Sequence, residues 1–219
     1  MITLYGFGNV HAQVHGETRD LRAQWVLEEV GLEYCVKALD HTAGEFDESA
    51  FDRVSCFHLV PVIDDDGFIV AESASILLYL AEKSGKLIPN DFEGRTRVVE
   101  WCFAALNTVE RPLSKILLID KFGGGEKAAE RRAEMVKAAN RWFAALERRL
   151  DGREWIACAE FTVADILLAT VLREVRHTDL LDGYPHLKAY YARAFDRPAW
   201  QRTLALYAKR VGAVVADIA

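Results

Sequence analysis

The chain has 219 residues, of which 51% are hydrophobic, and a formal net charge of −6. That length holds one large or two small domains with a sizeable core, and the acidic balance argues against a nucleic-acid partner, because no basic excess exists to neutralise phosphates. No run of about 18 apolar residues occurs, so no membrane-spanning helix is expected, and Cys35, Cys56, Cys102 and Cys158 form no Cys-x-x-Cys pair, which speaks against a disulfide framework or zinc site.

Residues 2–7 (ITLYGF) read as a short apolar strand. No basic segment followed by an apolar one precedes it, so no signal peptide is expected; the scattered cysteines point to a reducing cytoplasm. A long turn, 8–19, follows. Its His11 and His15 are spaced i, i+4 and would share a face if a helical turn formed. A metal needs a third ligand, and none is apparent in the segment, so no metal is expected. Residues 19–31 repeat apolar positions at helical spacing and end at Gly31. Residues 34–39 are a second strand candidate, and 44–55 are polar and helix-permissive. The run 60–73 reads as a hairpin, with β-branched segments on both sides of an Asp-Gly turn. A helix over 73–85 closes this β-α-β-α-β-β-α unit.

The pattern then changes. Residues 86–94 carry Pro, Asn and Gly without periodicity and read as a linker. Beyond them everything reads helical. Pro112 should kink or interrupt one helix. Residues 123–125 (GGG) separate it from a stripe of Met135, Ala139, Trp142, Phe143, Leu146 and Leu150. Thr162 and Asp165 form a capping box, with Phe161 placed to staple onto Ile166. Two final helices, near 185–195 and 197–210, each carry Pro in the first turn.

Three features carry chemistry. Val60-Pro61 opens a strand, where proline is unusual because it donates no ladder bond. The peptide is either an ordinary trans bond or a cis bond in a tight turn. The cis form leaves the Val60 N–H and C=O free to pair with an extended peptide. Next, Ser73 sits at a helix start, where free N–H groups and the helix dipole favour a carboxylate. Glu72 beside it suits an ammonium group, so the pair can receive an α-amino acid head; a plain helix cap is the simpler reading. Finally, a thiol lying at the start of the first helix would be shifted toward thiolate by the dipole and by a hydroxyl donor.

At 2–7, 22–34, 60–83 and 161–169 the chain resembles the cytosolic glutathione transferase family, over nearly its whole length. The resemblance implies a thioredoxin-like α/β domain over 1–84, a linker at 85–94 and an all-α domain over 95–219. It implies that Pro61 is cis, that Val60 pairs with the cysteinyl backbone of glutathione, and that Glu72 and Ser73 hold its γ-glutamyl end. It also implies glutathione as co-substrate, a homodimer, and a small hydrophobic electrophile between the domains, with Trp101, Ala105 and Thr108 as candidate lining. The activity implied is transfer of glutathione to that electrophile. Peroxide or disulfide reduction, and a non-catalytic interaction protein on the same fold, are the alternatives.

The departures from the family pattern are specific. Counting back from 27–32, the position of the family's catalytic hydroxyl or thiol falls at Glu17 and Thr18, next to Arg19. Thr18 is the candidate donor to the glutathione sulfur. Glu17 opposes it, since a nearby carboxylate raises a thiol's pKa. Tyr5, on the first strand, is a lesser candidate. The turn is about eight residues longer than the family pattern, which marks it as a candidate for function. Leu59 stands where a Lys or Gln often holds the glycyl end, and Asp47 and Glu48 stand upstream where a lysine is often found. Either Arg19, Arg53, His58 or a partner subunit supplies the missing charge, or glutathione binds weakly.

Overall fold

The structure is a computed structural model that describes all residues of the chain except 48 and 50. By internal packing it divides into two units. One comprises Met1–Lys86 with Arg197–Ala219, and the other Leu87–Asp196. The division expected from sequence assigned 197–219 to the helical domain; these residues instead pack with the first unit.

In the first unit, β1 (Ile2–Asn9), β2 (Tyr34–Asp40), β3 (Val62–Asp65) and β4 (Phe68–Ala71) form one sheet in the order β2-β1-β3-β4. β1 and β2 are parallel, joined through α1 (Asp20–Val30), while β3 and β4 run as an antiparallel hairpin. Asp66 and Gly67 make its two-residue turn with φ of 51° and 96°, the positive values that a turn matching the sheet's twist requires. α2 (Ser73–Ser84) follows β4. Asp65 on β3 accepts hydrogen bonds from Tyr79 and Lys83 of α2, fixing that helix to the sheet.

The helix-permissive segment 44–55 forms turns among its described residues. The reason is tertiary. Phe46 and Phe51 are both buried and join Tyr5, Leu39 and Val62 in one cluster. Their rings meet edge to face at 5.7 Å. A spacing of five does not stack two side chains on one helix face, so the turns bring them together where a helix would not.

α8 (Pro198–Val211) packs on α1 within this unit. Trp200 lies 4.9 Å from Trp25, ring centre to ring centre, and both are buried. Burying each such large side chain contributes about 1.5–3 kcal/mol. Ion pairs line the contact: Arg197 takes Glu29 in a fork at 2.7 and 2.8 Å, and Arg202 reaches the Glu28 carboxylate and carbonyl.

The second unit is helical: α3 (Phe92–Phe103), α4 (Glu110–Phe122), α5 (Glu126–Leu150), α6 (Val163–Leu172) and α7 (Pro185–Phe195). A π-helical turn, Ala104–Val109, joins α3 to α4 without a break. It absorbs Pro112: the proline ring crowds the carbonyl four residues back, at Thr108, and widening that turn relieves the clash. The capping box at α6 is complete, with Thr162 and Asp165 each holding the other's backbone N–H. Asp165 also accepts from Ile156 N–H and the Tyr190 hydroxyl. A short α9 (Val215–Ile218) ends the chain in the first unit.

Candidate functional site

The topology gathers the candidate residues at one end of the sheet. β4 runs in the same direction as β1, so the end of β1, the start of α1, the start of β3 and the start of α2 lie at the same end. The last β3–β4 pair is Val62↔Ala71. Continuing that register outward brings Val60-Pro61 beside Glu72-Ser73.

Val60-Pro61 is cis, as the family resemblance implied. None of the backbone hydrogen bonds among the described residues uses the Val60 N–H or C=O. The turn before it is held by Ser55, whose hydroxyl accepts from Leu59 N–H at 3.0 Å and donates to Leu59 C=O at 2.9 Å. The Leu59 side chain points to solvent, 62% exposed, and brings no charge to the glycyl end. Of the cations considered, Arg19 and Arg53 are exposed, and His58 is paired with Asp52 at 2.8 Å. Asp47 is exposed, and Glu48 lies outside the described residues.

Glu72 has φ 68° and ψ 123°, a conformation non-glycine residues avoid at a cost of about 1–3 kcal/mol. That turn moves the chain from β4 into α2 and leaves the exposed Glu72 carboxylate uninvolved in capping. Ser73 becomes the first residue of α2 and is buried, at the helix end where the first N–H groups have no partner within the helix.

Thr18 is half-buried, two residues before α1. Its Oγ1 lies 2.9 Å from the Tyr207 hydroxyl on α8, which also accepts from Gly16 N–H at 3.3 Å. Burial, followed by the neighbouring Asp20 carboxylate, pushes the Tyr207 phenol above its ordinary value, so it stays protonated at neutral pH. Asp20, with no solvent exposure, accepts from Phe7 N–H at 3.1 Å and from Arg210 at 2.7 Å. Arg210 spans this corner, donating also to Phe7 C=O and to Gln24. A β-carbon on Gly6 would stand 2.7 Å from the Asp20 carboxylate, so the close approach of α1 to β1 depends on glycine there.

The other candidates separate from this cluster. Tyr5 faces the core, against Phe51. His11 and His15 flank a single 3-10 turn, Ala12–Val14, and both have ψ 132°, so the i, i+4 spacing does not put them on one helix face. The His15 ring bonds the Val10 carbonyl at 3.1 Å. Among the described residues no three His, Cys, Asp or Glu side chains are grouped as a metal site would need. Glu17 is half-buried immediately before Thr18. In the helical unit, Trp101 is half-buried with Arg149 over its ring, Thr108 is exposed, and Ala105 has no exposed surface and so offers a ligand nothing.

Sequence reasoning missed Tyr207, Arg210 and Asp20. Tyr207 and Arg210 share a face of α8 at i, i+3, and Asp20 is an acid in the first turn of α1. Those local signals exist, but nothing local says which helix end they meet.

Two family models match the chain: the glutathione S-transferase N-terminal domain over residues 13–82 and the glutathione S-transferase C-terminal domain over 104–198. A probable glutathione S-transferase GSTF2 of Oryza sativa subsp. japonica is 30% identical, covering 83% of this chain and 88% of its own. Glutathione S-transferase D7 of Drosophila melanogaster is 29% identical over 83% of this chain and 82% of its own. Among solved structures, a glutathione transferase family member from Pseudomonas fluorescens with two glutathione molecules bound superposes with a TM-score of 0.80 at 26% identity, covering 92% and 91% of the two chains.

Proposed function

The chain belongs to the glutathione S-transferase family, and from that premise we propose that it activates the thiol of glutathione and transfers it to a small hydrophobic electrophile. One observation carries the reading. Three polar features lie at one sheet end: the Val60 backbone beside a cis proline, Ser73 at the start of α2, and Thr18 just before α1.

Each feature has a role on the tripeptide. The Val60 N–H and C=O pair with the cysteinyl backbone as an added strand does. Ser73 and the first amides of α2 take the γ-glutamyl carboxylate, and Glu72 takes its ammonium. Arg19 is the nearest of the exposed cations in sequence to the thiol position and is assigned to the glycyl end. The Thr18 hydroxyl and the dipole of α1 then face the sulfur. They stabilise the thiolate, whose proton leaves to water. The thiolate sulfur forms a bond to the electrophilic carbon, and the leaving group departs with its electron pair, or the added pair is protonated by solvent. The protein acts as a homodimer in the cytoplasm.

Calorimetric titration with glutathione tests the binding half of this reading. The wild type should bind at micromolar to millimolar concentration, and Ser73→Ala should weaken binding about tenfold through loss of a hydrogen bond to a charged group. Absence of binding at millimolar glutathione would overturn it.

A further inference from the structure

We propose that Tyr207 is a positioning residue that turns the Thr18 hydroxyl proton toward the glutathione sulfur. This deepens, and rests on, the reading of Thr18 given above. Tyr207 is buried, and its hydroxyl meets two groups, Thr18 Oγ1 at 2.9 Å and Gly16 N–H at 3.3 Å. The amide can only donate. In the structure Thr18 Oγ1 donates and Tyr207 Oη accepts; hydroxyl hydrogens turn, so the direction can reverse when Thr18 gains another acceptor.

Those two directions differ in consequence. With Thr18 donating, Tyr207 Oη accepts from both neighbours, and its own buried proton meets no third group among the described residues. A buried hydroxyl proton without an acceptor is costly. With Tyr207 donating, every group at Tyr207 is satisfied, and the Thr18 proton is released to point elsewhere. A thiolate at the start of α1 is the acceptor that this second direction serves. Chains of hydroxyls also polarise one another, so a Thr18 that accepts from Tyr207 is itself a better donor.

The surroundings keep Tyr207 protonated and so able to donate. Burial disfavours a phenolate most strongly, followed by Asp20 from α1. Arg210, on the same helix as Tyr207, stands 5.2 Å from its ring and holds Asp20 in place. The threonine methyl narrows the choice of rotamers at position 18, so a fixed partner for Oγ1 matters more there than for a freely turning serine.

The experiment is spectroscopic titration of the bound glutathione thiol in wild type, Tyr207→Phe, Thr18→Ala and the double variant, with melting curves confirming folding. Tyr207→Phe should raise the bound thiol's pKa by about one unit, a tenfold loss of thiolate at neutral pH. The rising limb of the pH–rate profile should move with it, while the glutathione dissociation constant stays within about twofold of wild type. Thr18→Ala should do the same, and the double variant should add nothing further, because the two residues act in series. An unmoved thiol in Tyr207→Phe together with a raised one in Thr18→Ala overturns the inference and leaves Thr18 as donor. An unmoved thiol in Thr18→Ala overturns the reading of Thr18 itself. If Tyr207→Phe does not fold, 3-fluorotyrosine at 207 keeps the packing and strengthens the phenol as donor. The bound thiol should then become more acidic, and no change or a rise overturns the inference.

Discussion

The starts of α1 and α6 are built around the same residue type, and the difference between them separates a helix end anchored from far along the chain from one closed by its own sequence. Each holds an aspartate with no solvent exposure, Asp20 and Asp165. Asp165 is satisfied from nearby in the chain: the amides of Ile156 and Thr162, the Thr162 hydroxyl, and the Tyr190 hydroxyl. It closes its own helix end with a capping box. Asp20 reaches away from its helix, to the amide of Phe7 and to Arg210, 190 positions along the chain. The residue capping α1, Arg19, makes no side-chain cap bond. The end of α6 is therefore closed by its own sequence. The end of α1 is held in place from outside, by Arg210 on Asp20 and by Tyr207 on Thr18. Positioning a helix end without capping it is what a site for a thiolate requires.

Asp165→Ala should show the largest effect. It removes the acceptor of four hydrogen bonds in a closed core and should destabilise the helical unit by about 3–5 kcal/mol, read by denaturant unfolding. Any molecules that remain folded should bind glutathione with unchanged affinity, because this end is structural. Arg210→Met comes next, at about 3 kcal/mol, because it leaves the Asp20 carboxylate buried without its cation. Here the contrast is sharp: activity per folded molecule should also fall, since α1 and Thr18 lose their anchor. If activity per folded molecule is retained, the two helix ends do not differ in the way described. Thr162→Ala should cost about 1 kcal/mol, the ordinary value of a lost cap, and should leave catalysis untouched.

The smallest effect concerns pH. The Tyr207 phenol is raised by burial and by Asp20. An acid whose folded pKa lies above its unfolded value contributes stability below the unfolded value, near 10, and loses it as pH rises through the folded one. The stability gap between wild type and Tyr207→Phe should therefore be constant through neutral pH and narrow only above about pH 10. A gap that closes between neutrality and about pH 9 would contradict a protonated Tyr207 in the working range.

What could be read from the sequence follows the same division. The capping box at Thr162 and Asp165, the Asp66-Gly67 turn and the Glu72-Ser73 helix start are spelled within two to four residues, so local rules find them. The turns at 44–55 escaped because Phe46 and Phe51 answer to a cluster assembled from β1, β2 and β3. Residues 197–210 were legible as a helix from Pro198, but not as the partner of α1. Its ion pairs reach Glu28 and Glu29 across more than 160 positions. Thr18 was located by counting along the family pattern. That Tyr207 stands behind it depends on the packing of two helices, which one sequence does not state.

The most direct test of the central claim is the acidity of the glutathione thiol when bound to the wild-type protein, followed by its thiolate absorbance against pH. A thiol held at the start of α1 should ionise at least about one unit below the free thiol, whose ordinary value lies near 8.5. A bound thiol that titrates at its free value would contradict the account, whatever the affinity.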